Sequence, residues 1–79
     1  MILENHAGDR PRIAPTAWVH PTAVVIGNVE IADRVLIDPN AVIRADEPGP
    51  DGTVGMIALE AEVNVQDGVI IHALGGGAK

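Results

Sequence analysis

Beginning at Ile13, a β-branched aliphatic residue returns at every sixth position: Ile13, Val19, Val25, Ile31, Ile37 and Ile43. Four positions after each of the first five stand Ala17, Ala23, Val29, Val35 and Ala41, small or β-branched in turn, and Glu47 then breaks the series. A helix cannot use this period, because six steps of 100° leave successive side chains about 120° away from one face. An ordinary hairpin sheet does not fit either, since its turn signals come every ~8–12 residues. A solenoid does. Each hexapeptide is a short strand plus a corner, three of them close a triangular coil, and coils stack at the strand spacing of ~4.8 Å. The expected fold is therefore all-β, a parallel β-helix shaped as a triangular prism. The aliphatic column fills its interior, and the small column takes a tighter inner position. Gly27-Asn28, Ala32-Asp33 and Pro39-Asn40 fall at or near the corners, where turn chemistry is expected.

Phase is lost after Ile43. The stretch from Glu47 to Gly55 is rich in Pro, Gly and Asp and reads as a loop protruding from the prism, about residues 47–56. The pattern resumes at Leu59, Val65 and Ile71, with Val63 and Val69 as the following small-column residues. A rival frame through Ile57, Val63 and Val69 also steps by six, but it would bury Asp67. The expected organisation is a lead-in at 1–12, a β-helix of about three coils at 13–76, and a flexible Gly-rich tail at 77–79. The tail offers no capping helix or polar terminal coil, so the expectation is a linker or a parent protein that continues.

Composition explains why the repeat is needed. The chain has 79 residues, 47% of them apolar, yet Trp18 is its single aromatic residue and Cys is absent. A chain this short buries only about 60% of its unfolded surface, so a lone core is marginal, and disulfides are excluded as a remedy. The charge is 5 basic against 11 acidic residues, a net of −6, and the arginines are scattered. That excludes the clustered positive patch that nucleic-acid binding requires. No apolar run approaches the ~20 residues of a membrane span. The N-terminus lacks a basic start followed by an apolar core, so no cleaved secretory signal is expected and the expected compartment is cytoplasmic.

Two further segments carry chemistry. Ile43-Arg44-Ala45-Asp46-Glu47, then a loop, then Asn64-Val65-Gln66-Asp67-Gly68-Val69-Ile70-Ile71-His72-Ala73-Leu74 closely resembles the γ-class carbonic anhydrases. Pro15 to Gly27, with Ala17-Trp18-Val19 and Pro21-Thr22-Ala23, resembles the first coil of that family. The resemblance implies a left-handed β-helix, a homotrimer and a zinc lyase that interconverts carbon dioxide and bicarbonate between subunits. It assigns His72 as a zinc ligand and Gln66 as a hydrogen-bond partner of the metal-bound water or bicarbonate. Asn64 and Asp67, expected on one wall, orient the site. Arg44 and Asp46 form an ion pair across the subunit contact, and Glu47 moves protons.

A catalytic zinc takes three protein ligands and keeps one position open for water, whose pKa it lowers to about 7, a value known from carbonic anhydrases. Iron or cobalt suits an all-His site too. The family uses three His ligands, two from one subunit and one from its neighbour. Here His6 and His20 do not match the ligand positions, so the remaining two are expected beyond His72. Gly75 stands where some relatives carry a second proton-shuttling Glu. Two other readings compete: an inactive carbonic-anhydrase-like β-helix serving assembly or binding, and a hexapeptide acyltransferase. The Gln66-Asp67-Gly68 and His72 constellation fits the acyltransferase poorly.

Overall fold

The computed structural model describes residues 1–73, and among these there are strands and turns but no helix. The Gly75 position and the tail at 77–79 lie outside the described residues. Ten short strands alternate among three parallel sheets, the faces of a left-handed β-helix. The first face stacks β1 (Ile2–Leu3), β4 (Val24–Gly27), β7 (Val42–Ala45) and β10 (Ile70–His72) in that order. The second stacks β2 (Arg12–Ile13), β5 (Val29–Ile31) and β8 (Ile57–Leu59). The third stacks β3 (Trp18–Val19), β6 (Leu36–Ile37) and β9 (Asn64–Val65).

Register follows the period of six. Ile13 lies against Ile31 and Val19 against Ile37, so a coil is 18 residues, three hexapeptides. Across the protruding loop, Ile31 meets Leu59, Ile37 meets Val65 and Ile43 meets Ile71, each 28 residues on. The loop therefore inserts ten residues and leaves the ladder in phase. The aliphatic column points inward: Val25, Ile37 and Ile43 are fully buried, and Ala23 and Ala41 occupy the tighter inner column. Each buried Val or Ile side chain stabilises the stack by about 1.5–3 kcal/mol relative to exposure. Val63 and Val69 are 38% and 37% exposed, because among the described residues no later strand covers that end of their faces.

Four corners carry left-handed residues. Arg34, Asn40, Glu62 and Gly68 have φ of 57°, 63°, 69° and 70°. Two of them are held from the coil above, where Thr16 accepts the Arg34 N–H at 3.0 Å and Thr22 accepts that of Asn40 at 3.1 Å. Trp18 faces outward, half exposed, edge-on to His20 at 5.5 Å between centroids.

The lead-in is more structured than its composition indicates. Ile2 pairs with Val25 and Leu3 with Ile26, 23 residues on, so residues between β1 and β2 form a second excursion of five. Asn5 folds that excursion inward. It is 6% exposed, its Oδ1 accepts the Ala7 and Asp9 N–H groups at 2.9 Å, and its Nδ2 donates to the Ala45 carbonyl at 2.9 Å. The Ala45 carbonyl also accepts the Asn28 N–H at 3.1 Å. Between these donors, Gly27 passes at φ +85°, a conformation open to glycine. Among the described residues, no helix is long and apolar enough to cross a membrane.

Candidate functional site

Side chains alternate along a strand, so the burial of Ile43 and the inward lean of Ile71 turn Arg44 and His72 to the outer surface of the first face. The two are direct cross-strand partners. Arg44 bonds its own Asp46 at two points, Nε to Oδ1 at 3.3 Å and Nη2 to Oδ2 at 3.2 Å. Such a partly exposed pair contributes about 0–1 kcal/mol to stability, so its geometry matters more than its energy. His72 Nε2 lies 3.2 Å from Glu47 Oε1 and 3.9 Å from Asp46 Oδ1. Asp46 is the least exposed of the group, with 17% of its side chain accessible against 34% for His72 and 54% for Glu47. The fold thus gathers Arg44, Asp46, Glu47 and His72 into one outward cluster: an imidazole nitrogen, an exposed carboxylate within proton-transfer reach, and an oriented guanidinium.

Asn64, Gln66 and Asp67 are placed elsewhere. Asn64 sits on β9 of the third face, in register with Leu36 and exposed. Gln66 follows the buried Val65 and opens the corner, where its carbonyl accepts the Val69 N–H at 3.2 Å. Asp67 lies in the turn itself, off the wall that carries Asn64, because Gly68 takes the left-handed conformation there. No side-chain hydrogen bond or ion pair among the described residues joins these three to the His72 cluster.

The protruding loop is a hairpin. Pro48 bridges Val54 in antiparallel sense, and Gly49 N–H donates to Thr53 O at 2.8 Å. At its tip the Thr53 backbone N–H, reinforced by the Thr53 hydroxyl, holds the Asp51 carboxyl below its ordinary pKa. The depressed value means that this contact is present above the ordinary carboxylate range and is lost as pH falls through the folded pKa. Thr53→Val removes the hydroxyl, so the Asp51 pKa should rise part of the way back, read by NMR titration of its side-chain carboxyl. An unchanged value would show that the backbone bond alone sets it. Because Asp51 is fully exposed, the accompanying loss of thermal stability should be small.

Sequence reasoning left two polar anchors unassigned. Asn5 lies in the lead-in, and Asn28 reads only as a corner residue beside Gly27. The available signal is Gly27 itself, a glycine in the middle of a β-branched run, which marks close backbone approach. A recess of about 370 Å³ is lined by Arg12, Ile13, Ala14, Glu30, Ile31 and Ala32 on the second face. Its Arg12 is already committed to Glu30 and Asn28.

Among the described residues, no three His, Cys, Asp or Glu side chains are grouped so as to hold a metal ion. The donor set fits one corner of a zinc site, a partly exposed imidazole, and does not fit a complete one.

A family model described as bacterial transferase hexapeptide (six repeats) matches residues 10–45. The carbonic anhydrase of Methanosarcina thermophila is 47% identical over 70 residues, 89% of this chain and 26% of that protein. The carnitine operon protein CaiE of a Proteus species is 42% identical over 72 residues, 91% of this chain and 33% of that protein. CaiE of Escherichia coli is 42% identical over 62 residues, 78% of this chain and 28% of that protein. The chain spans about a quarter to a third of the length of these curated relatives. No solved structure matches it significantly.

Proposed function

From the match of residues 10–45 to the hexapeptide model and the likeness to a carbonic anhydrase, we propose that the chain is a hexapeptide-repeat β-helix protein that serves reversible hydration of carbon dioxide to bicarbonate at a metal site shared between copies in a homotrimer. The observation that carries this reading is the placement of Glu47 at 3.2 Å from His72 Nε2 beside the Arg44–Asp46 pair. His72 offers an imidazole nitrogen to the metal, taken as zinc with iron or cobalt as substitutes. Zinc, when bound, supplies hydroxide at neutral pH.

This chain's own residues bind, orient and move protons. Glu47 is exposed and beside the imidazole, so its carboxylate can take a proton at Oε1 and release it to solvent. Asp46 orients the Arg44 guanidinium on the outer surface of the first face, where it can meet a neighbouring copy. Asn64 and Gln66 point out from the third face, so their amides reach a His72 only across a contact between copies. Asp67, in the turn beside Gln66, orients the site with them. In this reading one chain alone is inactive.

The competing reading, a metal-free β-helix that serves assembly, draws on the absence of a three-ligand cluster among the described residues. Metal analysis together with native mass on the purified chain separates the two. A trimer that takes up one metal per interface, and that loses the metal but not the trimer in His72→Ala, supports hydration. A metal-free oligomer supports the assembly reading, and a metal-free monomer sinks both for this chain.

A further inference from the structure

The hairpin that begins at Glu47 is tied to the neighbouring coil through Asn28. Asn28 Nδ2 donates to the Val54 carbonyl at 3.0 Å, while the Asn28 backbone accepts the Ile57 N–H at 3.0 Å and donates to the Ala45 carbonyl at 3.1 Å. Both ends of the excursion thus converge on one residue. Arg12 Nη2 donates to Asn28 Oδ1 at 3.1 Å, which turns the amide so that its Nδ2 faces Val54. Val54 is 8% exposed and bridges Pro48 across the hairpin. Pro48 in turn constrains Glu47: its ring fixes its own φ near −65° and bars the preceding residue from the helical region. The link from Val54 to the Glu47 backbone is therefore stiff, so the hairpin sets the backbone from which the Glu47 carboxylate reaches His72.

We propose that Asn28 is a positioning residue that acts through Val54 and Pro48 to set the Glu47 carboxylate against His72. The proposal deepens, and rests on, the reading of Glu47 and His72 as parts of one site. Its physical content is that the side-chain bond to Val54, not the ladder, fixes the 3.2 Å approach of Glu47 to the imidazole. Substituting the side chain leaves both backbone bonds of Asn28 available, so the coil itself should persist.

The test compares the full chain with Asn28→Ala and Asn28→Asp by NMR, with Thr53→Val as a control at the hairpin tip. Asn28→Asp keeps an oxygen for Arg12 but sets a carboxylate oxygen against the Val54 carbonyl, so both variants lose the tether. The expected result is loss of the cross-peaks between Glu47 side-chain and His72 ring protons, with amide-exchange protection of Val24 and Val42 unchanged. Thr53→Val should retain the cross-peaks. The proposal is overturned if the cross-peaks survive in both Asn28 variants. It is equally overturned if they vanish only together with ladder protection, which would make Asn28 a fold residue and no more. Neither readout involves carbon dioxide or a metal, so an inactive chain leaves this test intact.

Discussion

Gly27→Ala should cost the protein about 3–6 kcal/mol, a large share of its total stability, because three penalties fall on one atom. The added Cβ would sit 2.1 Å from the Ala45 carbonyl oxygen and 2.7 Å from Asn5 Nδ2, at a φ of +85°. A side chain in the left-handed region costs about 1–2 kcal/mol by itself. The carbonyl cannot move aside without releasing the Asn5 and Asn28 donors, and a buried group left unpaired costs about 1–3 kcal/mol. A chain of 79 residues has a total stability of only about 4–12 kcal/mol by the usual per-residue range. Gly52→Ala is the matched control: its φ is +84° but its Cβ would meet nothing within 4 Å, so only the backbone term applies. Urea denaturation followed by circular dichroism should separate the two midpoints widely. Equal midpoints would mean that the close approach at Ala45 does not exist.

The second large effect is expected at Ile37→Ala, about 2–5 kcal/mol, from lost transfer energy and a cavity the stack cannot collapse around. Ile37 is fully buried between Val19 and Val65, each held in register by its own ladder. Without rings or disulfides, the core has nothing larger that could lean into the gap. Its neighbour Leu36 has the same side-chain volume but is 43% exposed, and a surface change of that kind stays within about 0.5 kcal/mol. The pair of substitutions therefore reads inside from outside on adjacent residues. Similar shifts in urea midpoint would contradict the inward assignment of the β-branched column.

That column is also why the fold was legible in the sequence. A narrow interior admits Val, Ile and Ala at fixed intervals, so the period of six is written directly into composition. The frame after the loop follows from one residue, since burying Asp67 would strand a charge; Val65 is accordingly buried and Asp67 exposed. The strand at Ile2–Leu3 was not legible, because two residues carry no period and the five-residue excursion after them displaces the phase. Asn5 and Asn28 were opaque for a different reason. Their partners Ala45 and Val54 are 40 and 26 residues away and are backbone carbonyls, which leave no mark on the sequence. At the site, Arg44 and His72 are neighbours because register is preserved across the loop, something the repeat encodes. Asn64, Gln66 and Asp67 were grouped with His72 by resemblance alone, and the one hexapeptide between β9 and β10, a third of a coil, places them on another face and its corner.

Both excursions leave the prism at the same edge, between the first face and the second, one from β1 and one from β7, with the tight Gly27-Asn28 corner between them. After the first coil, the other two edges are closed by left-handed residues six apart within each coil, Arg34 and Asn40 and then Glu62 and Gly68, and carry no insertion. The molecule therefore has one seam along which contour length is decoupled from height. Added sequence there is charged only the entropy of closing a longer loop, about 0.6 kcal/mol for each doubling, while the ladders on either side keep count as if nothing had been inserted. Along that seam such a chain can acquire a new hairpin without renegotiating its core.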